Sequence, residues 1–196
     1  MCGVAGFLTT IPSMSSNAGA IVTDMAETIR HRGPNDSGVW VDIDAGMALA
    51  HRRLSIVDLS QAGHQPMTSA NGRYVIAFNG EIYNHLEIRR ELDKLRYDAS
   101  LAMTGKDVFW RGHSDTETLL AGFEAWGIET TLKKTVGMFA IALWDREEKV
   151  LTLARDRMGE KPLYYGFQNK TFLFGSELKA LKAHPNFLSE IDRDVL

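Results

Sequence analysis

The sequence predicts an α+β fold in which antiparallel sheets are covered by helices on their outer faces. Apolar runs of strand length fall into two groups, one in each half of the chain. Segments with helical spacing of apolar residues lie between and after these groups instead of alternating with single strands. The last strands are joined in pairs by short polar sequences, which favours hairpins and therefore antiparallel pairing.

Each predicted strand is an apolar run with β-branched or aromatic residues. The runs are 3–8, 47–54, 74–78, 138–144, 150–154, 163–167 and 171–174. The polar stretches 145–149 and 167–170 predict tight turns within the last two strand pairs. Residues 138–143 are apolar at consecutive positions, so this strand is predicted to be buried on both faces.

Apolar residues at helical spacing predict three amphipathic helices. Their apolar faces are Ile21, Val22, Met25 and Ile29; Ile88, Leu92 and Leu95; and Leu119, Leu120, Phe123 and Trp126. Ser114 and Glu117 have the spacing of a capping box in front of the third helix. A short last helix is predicted from Glu177 to Lys182, because Pro185 follows.

The size and composition of the chain fit one domain with a core of its own. The chain has 196 residues, of which 44% are apolar and 24% are charged, as in ordinary globular proteins. We assign residues 1–184 to this domain. Residues 185–196 lack a compact pattern and are predicted to begin a linker.

Charge and cysteine content argue against several classes of protein. A net charge of −3 gives no electrostatic support for binding nucleic acid or an anionic membrane. The apolar run 136–144 is shorter than the ~20 residues that span a bilayer, and the N-terminus lacks the basic region of a signal peptide. One cysteine cannot form an internal disulfide, and the six histidines show no metal-ligand spacing. We therefore expect a cytoplasmic protein without a metal site in this domain.

The single cysteine, Cys2, directly follows the start methionine. It could be a small hydrophobic residue of the first strand. If Met1 is removed, however, Cys2 carries a thiol and a free α-amine on one carbon, so that a nucleophile and a base are adjacent. A third arrangement pairs the thiol with His31 or His51. Position alone leaves these interpretations open.

Polar residues are concentrated in the stretches 30–38, 51–58 and 79–84. In the first, Gly33 and Pro34 end a helix, and residues 35–36 can cap the next turn. The arginines there complement the helix dipole, bind an anion or order a nearby nucleophile. In the second, Arg53 at a strand end suits a bidentate grip on a carboxylate or a salt bridge to Asp58. In the third, Asn79-Gly80 is either a turn or a pair of donors for an oxyanion.

These stretches belong to a series that covers the chain from Cys2 to about Leu181. The segments, in order, are MCGVAGF, HRGPNDSG, HRRLSIVD, NGEIYN, GHSDTE, GMFAIALWD, ARDRMGEKPLYYG and FGSELKAL. In them the chain resembles the glutaminase domain of asparagine synthetases, which are class II glutamine amidotransferases of the N-terminal-nucleophile hydrolase type. The resemblance implies a four-layer αββα sandwich of two antiparallel sheets flanked by helices.

The resemblance also implies the chemistry of the site. Cys2 would attack the side-chain amide of L-glutamine, and its own α-amine would act as the base. Asn79 and Gly80 would stabilise the oxyanion, and hydrolysis of a thioester on Cys2 would then release glutamate and ammonia. Arg32 would pack beside the nucleophile.

The remaining residues implied by the resemblance would bind the amino-acid end of glutamine. Arg53 would hold the α-carboxylate. Asp115 would pair with the α-ammonium, with Glu81 beside it, although a carboxylate in the first turn of a helix is also favourable without a ligand. The pocket would further be lined by Leu54, Ser55, Ile56 and Val57.

The resemblance implies a partner but no cofactor for this domain. A synthetase domain would follow, with ATP and Mg²⁺ as its own requirements, and a homodimer would be compatible with the pattern. Aspartate is the acceptor of ammonia that the family suggests. Another acceptor, for example in surface-polysaccharide biosynthesis, and a degenerate regulatory domain are the alternatives. Residues 97–112 form a longer segment than the family pattern suggests and are interpreted as a hairpin or a loop.

Overall fold

The computed structural model describes residues 1–11, 16–54, 61–102 and 110–189, and the side chains of residues 61 and 96–102 lie outside that description. The strands are β1 (Gly3–Thr9), β2 (Asp36–Asp42), β3 (Met47–Arg53), β4 (Met67–Thr68), β5 (Tyr74–Ile82), β6 (Gly137–Asp145), β7 (Val150–Arg155), β8 (Tyr164–Gln168) and β9 (Thr171–Gly175). The α-helices are α1 (Ala18–Glu27), α2 (His85–Ala102), α3 (Asp115–Trp126), α4 (Ile128–Lys134) and α5 (Leu178–Lys182). Short 3₁₀ turns occupy Arg30–Arg32 and Gln61–Gly63.

The strands form two antiparallel sheets. The five-stranded sheet has the order β2-β3-β1-β9-β8, and the four-stranded sheet has the order β4-β5-β6-β7. In the first sheet β1 lies between β3 and β9, with Gly3 opposite Arg52. The N-terminal end of the chain is therefore placed beside the last residues of β3.

Three apolar clusters divide the molecule into four layers, as predicted. Between the sheets lie Val4, Met47, Leu49, Val75, Ala77, Ala142, Trp144 and Phe174. Alternate residues of β1 and β3 point to the other face, where they pack against α1 and the last helix, α5. The outer face of the four-stranded sheet packs against α2, α3 and α4. The order is thus helices, sheet, sheet, helices.

Several local predictions are confirmed. Residues 139–145 of β6 are buried at every position, as expected for a strand covered on both faces. The hairpins β6–β7 and β8–β9 are antiparallel, and Lys149 and Asn169 adopt positive φ in their turns. Ser114 caps α3 by accepting a hydrogen bond from the Glu117 amide at 3.3 Å.

Other local predictions are wrong. Asp36 begins the edge strand β2 instead of capping a turn, and β5 continues to Ile82, so Asn79 and Gly80 lie inside a strand. Leu95 is 48% exposed although its spacing placed it on the apolar face of α2.

The segment 97–112 begins as helix and not as a hairpin or loop, because α2 continues to Ala102. Residues 103–109 lie outside the described part. Trp110 returns to α2, where its indole Nε1 donates to Asp93 Oδ1 at 2.9 Å and its ring lies 3.9 Å from the Arg89 guanidinium carbon. In the described ranges, no helix is both long and apolar enough to cross a membrane.

Candidate active site

A cavity of about 170 Å³ lies where the start of β1 and the end of β3 face the second half of β5 and the start of α3. Most of the residues singled out in the sequence line it, namely Cys2, Arg53, Leu54, Asn79, Gly80, Glu81 and Asp115. Ser55, Ile56 and Val57 lie outside the described residues. The fold therefore gathers residues that are far apart in the chain.

The thiol of Cys2 is half-buried and rests against the backbone of Leu54. The Leu54 amide lies 3.4 Å from the Cys2 sulfur, and the Leu54 carbonyl oxygen lies 3.7 Å from it. The pairing of β1 with β3 ends at Gly3 and Arg52, so the contact between Cys2 and Leu54 lies just beyond the last paired residues. Strand register thus places the thiol in the cavity.

Arg32 lies behind the nucleophile and does not line the cavity. The 3₁₀ turn that follows α1 directs its side chain, which is 9% exposed, towards the first residues of the chain. Its Nε donates to the carbonyl oxygen of Cys2 at 3.0 Å. Arg32 thus contacts the backbone of Cys2, beside the thiol.

Asn79 lines the cavity and has an unused hydrogen-bond donor among the described residues. The residue is 1% exposed, and its Nδ2 has no hydrogen-bond partner among the described residues. A buried amide nitrogen without a hydrogen-bond partner lowers the stability of the fold unless a bound ligand accepts its hydrogen bond. Its neighbour Gly80 needs to be glycine, since a Cβ there would collide with the carbonyl oxygen of Met138 on β6.

Asp115 is the first residue of α3 and is buried at the cavity wall. Its Oδ2 accepts a hydrogen bond from the Ile82 amide at 2.9 Å, and its Oδ1 accepts one from the Thr116 amide at 2.9 Å. Burial raises the pKa of the Asp115 carboxyl, although these amide donors favour the ionised form. A cationic ligand would relieve the cost of this buried negative charge.

Arg53 and Glu81 bring further charge to the cavity. Arg53 is buried at the end of β3, where the Asn35 amide donates to its carbonyl oxygen at 3.1 Å. Glu81 is exposed on β5, and its carboxylate forms no ion pair with any residue in the described ranges. A cation, carboxylates, a thiol and an amide donor thus line one cavity, which suits an amino acid with a reactive side-chain carbonyl.

The family comparison agrees with this arrangement. The glutamine amidotransferase domain family matches residues 1–196. The chain belongs to that family. It is 36% identical over 200 residues to "Asparagine synthetase [glutamine-hydrolyzing] 3" of Bacillus subtilis, a match that covers 98% of this chain and 29% of the relative. It is 31% identical to "Putative asparagine synthetase [glutamine-hydrolyzing] 2" of Methanocaldococcus jannaschii, with 93% and 35% covered.

The match to solved structures supports the fold. The glutamine phosphoribosylpyrophosphate amidotransferase of B. subtilis superposes with a TM-score of 0.71 at 19% identity, covering 93% of this chain and 43% of that one. The predicted αββα fold is thereby confirmed. The predicted relationship to the glutaminase domain of asparagine synthetases is confirmed by the family match and by the relatives named above. This amidotransferase domain spans about 29% of the length of the B. subtilis asparagine synthetase it matches.

The histidine arrangements considered for Cys2 are not those of the structure. His51 Nε2 hydrogen-bonds the Phe78 carbonyl oxygen at 2.9 Å, and burial lowers the pKa of His51 to about 4. His31 Nε2 lies 2.9 Å from Glu177 Oε1. Among the described residues, the thiol contacts the backbone of Leu54 and neither histidine.

Two buried polar residues of the amidotransferase site, Gln65 and Lys161, were not predicted from the sequence. Gln65 accepts from the Phe78 amide at 2.7 Å and donates to Thr116 Oγ1 at 3.3 Å, so it ties β5 to α3. Lys161 lines the cavity, and its Nζ lies 3.4 Å from the sulfur of Met1. The segment ARDRMGEKPLYYG was the available signal for Lys161, whereas Gln65 lies in none of the segments.

Proposed function

We propose that this amidotransferase domain hydrolyses L-glutamine through a thioester on Cys2. The observation that carries the proposal is that Nδ2 of buried Asn79 has no hydrogen-bond partner among the described residues, while Asn79 lines the same cavity as Cys2. An available donor beside a nucleophile is what a developing oxyanion needs.

The proposed reaction uses the α-amine that removal of Met1 exposes. The amine takes the proton of the thiol, and sulfur attacks the side-chain carbonyl carbon of glutamine, forming a C–S bond. The oxyanion accepts hydrogen bonds from Asn79 Nδ2 and from the Gly80 amide. The C–N bond then breaks, and the amine returns its proton to the departing ammonia. Finally the amine deprotonates water, which attacks the thioester carbonyl, breaks the C–S bond and releases glutamate.

Charged residues of the cavity are proposed to hold the other end of glutamine. Arg53 would bind the α-carboxylate, for which a guanidinium is well suited. Asp115 would bind the α-ammonium, with Glu81 at the exposed side and Leu54 along the wall. These contacts would place the side-chain amide of glutamine next to Cys2.

We further propose that the ammonia serves an ATP-dependent synthetase part, with aspartate as the acceptor. The names of the relatives and the 29% of the B. subtilis relative that this domain spans support this. Any need for ATP and Mg²⁺ belongs to that part. We place the protein in the cytoplasm, because a thiol nucleophile has to remain reduced.

An apolar edge of the sandwich is proposed to contact this synthetase part. The five-stranded sheet ends in β8, where Phe167 is 79% exposed, and a groove of about 490 Å³ runs between β7 and Tyr165. Met158, which is 84% exposed, lies in the same loop as Lys161 of the active-site cavity. Phe167 lies in register with Leu8, at the end of β1 away from Cys2, so a partner that covers both Phe167 and Met158 would extend from this edge to the loop beside the active-site cavity.

A protein that carries both parts tests this contact. Phe167→Asp should lower the fraction of released ammonia that enters product, while glutamate release stays unchanged. Leu86→Asp, at a 54% exposed position of α2, is the matched control. Equal ammonia transfer in both variants would show that the edge is not the contact.

The state of the N-terminus tests the mechanism itself. In the chain that retains Met1, this residue lines the cavity and contacts Lys161, and the nitrogen of Cys2 is an amide that cannot act as a base. Protein that retains Met1 should bind glutamine but hydrolyse it very slowly. Exposing Cys2 should restore turnover and a covalent adduct with an electrophilic glutamine analogue, measured as intact mass, and Cys2→Ser should abolish both. Full activity with Met1 in place would refute the mechanism.

A further inference from the structure

The segment that follows β9 holds the N-terminal end of the chain. The Ser176 amide donates to the Val4 carbonyl oxygen at 2.8 Å, and Ser176 Oγ accepts from the Val4 amide at 2.9 Å. Ser176 is fully buried. Ser176 thus hydrogen-bonds both the N–H and the C=O group of Val4, two residues after Cys2.

The next residue, Glu177, reaches Cys2 itself through one guanidinium. Arg32 Nη1 donates to Glu177 Oε1 at 3.0 Å, while Arg32 Nε donates to the Cys2 carbonyl oxygen at 3.0 Å. The Arg32 side chain is 9% exposed, against 26% for Glu177. Because the guanidinium is planar and rigid, a carboxylate that holds Nη1 also restrains the position of Nε.

Glu177 is suited to hold this arginine because its carboxylate stays ionised. Burial would raise its pKa, but hydrogen bonds from Arg32, Lys179 and His31 outweigh burial and lower it. Lys179 Nζ lies 3.1 Å from Oε2, and both it and His31 are largely exposed. Of these three partners, Arg32 is therefore the one whose buried charge depends on Glu177.

An N-terminal nucleophile needs such a restraint more than an internal one does. Once Met1 is removed, no preceding residue holds Cys2, and its orientation depends on its carbonyl group and on the strand that follows. A displacement of about 1 Å can cost on the order of 10²-fold in rate. We propose that Glu177 is a positioning residue of the glutaminase reaction, acting through Arg32 on the backbone of Cys2. This inference rests on the proposed role of Cys2.

Steady-state kinetics of processed Glu177→Gln test the inference. We expect kcat to fall by about 10- to 100-fold while KM for glutamine changes less than about threefold, because Glu177 does not line the cavity. Lys179→Ala removes another partner of the same carboxylate without touching Cys2 and should keep the wild-type kcat. Thermal unfolding of both variants should be alike. An unchanged kcat in Glu177→Gln, or an equal loss in Lys179→Ala, would overturn the inference.

Labelling of Cys2 separates positioning from a simple loss of thiol reactivity. In Glu177→Gln the adduct with an electrophilic glutamine analogue should form more slowly, in proportion to kcat, whereas alkylation by iodoacetamide should keep its rate. If the wild-type protein itself forms no adduct with the analogue, the proposed function fails; if both proteins form it equally fast, only the positioning role fails. Arg32→Lys, which cannot bridge both groups, provides the same comparison should Glu177→Gln not fold.

Discussion

Single residues of the cavity differ in the stage of the reaction at which they are expected to act. Asn79 Nδ2 is buried without a partner among the described residues, so it gains most when negative charge develops on a bound carbonyl oxygen. We predict that Asn79→Ala lowers kcat by ~10²–10³-fold and leaves KM nearly unchanged. Steady-state glutamate release measures both constants. An unchanged kcat would remove Asn79 from the oxyanion site.

Arg53→Ala is the contrasting change at the same cavity. Its guanidinium is expected to hold the carboxylate of glutamine equally in the ground state and in the transition state. KM should therefore rise, with a smaller change in kcat. If both variants changed the same constant, recognition and catalysis would not be divided between these residues as proposed.

Asp115 has a structural role and a proposed ligand-binding role. A substitution that removes only its negative charge distinguishes the two. Asp115→Asn keeps an oxygen for the Ile82 amide but removes the negative charge. Glutaramate, which lacks the α-amine of glutamine, should bind the wild type more weakly by ~1–3 kcal/mol, because the carboxylate stays unpaired. The difference should shrink in Asp115→Asn, as measured by competitive inhibition. Equal discrimination by both proteins would leave Asp115 with its structural role alone.

At the level of elements, the site depends on the close pairing of β5 with β6. A Cβ on Gly80 would meet the backbone of Met138 and Phe139, which cannot move without opening this pair. We predict that Gly80→Ala lowers the melting temperature by several degrees and abolishes turnover. Gly166→Ala on β8 is the matched control, because no described residue lies within 4 Å of its added Cβ. Similar melting temperatures for the two variants would contradict this.

The elements that sequence analysis found and those it missed differ in their burial. Continuous apolar strands such as β6 were predicted because both faces are covered. The edge strand β2 is largely half-buried or exposed, and in α4 only Thr131 is fully buried, so neither has a strong apolar pattern. Gly80 was found with its sequence segment, but its place inside β5 was not, because Asn-Gly usually marks a turn.

For the site, the residues found in the sequence and those missed differ in whether they lie in a recognisable segment. Cys2, Arg53, Asn79 and Asp115 were identified because each lies in a recognisable segment, and their gathering in one cavity follows from the fold the segments imply. Gln65 joins the cavity through contacts with Phe78 and Thr116, which follow it by 13 and 51 residues, and nothing in its local sequence marks these contacts.

For the whole molecule, buried histidines connect stability to pH. His51 on β3 hydrogen-bonds the Phe78 carbonyl on β5 and so joins the two sheets, while His184 packs edge-on against Phe7 at 4.7 Å. Burial lowers the pKa of both, to about 4 from an ordinary value of 6.5. Between pH 6.5 and 4 the unfolded chain therefore binds protons that the folded chain does not. The histidine contribution to stability is complete above pH 6.5 and is lost as the pH falls towards 4.

We predict that the free energy of unfolding decreases from pH 6.5 to 5, a window above the ordinary pKa values of Asp and Glu. Each histidine should contribute up to about 1.4 kcal/mol per pH unit. Asp115 acts in the opposite direction, because burial raises its pKa and the folded state then binds its proton more readily. His51→Gln keeps a donor for the Phe78 carbonyl but no longer titrates, so urea unfolding should show a shallower dependence on pH. His184→Gln should reduce the slope in the same way, and slopes equal to that of the wild type in both variants would show that these histidines do not set the pH response.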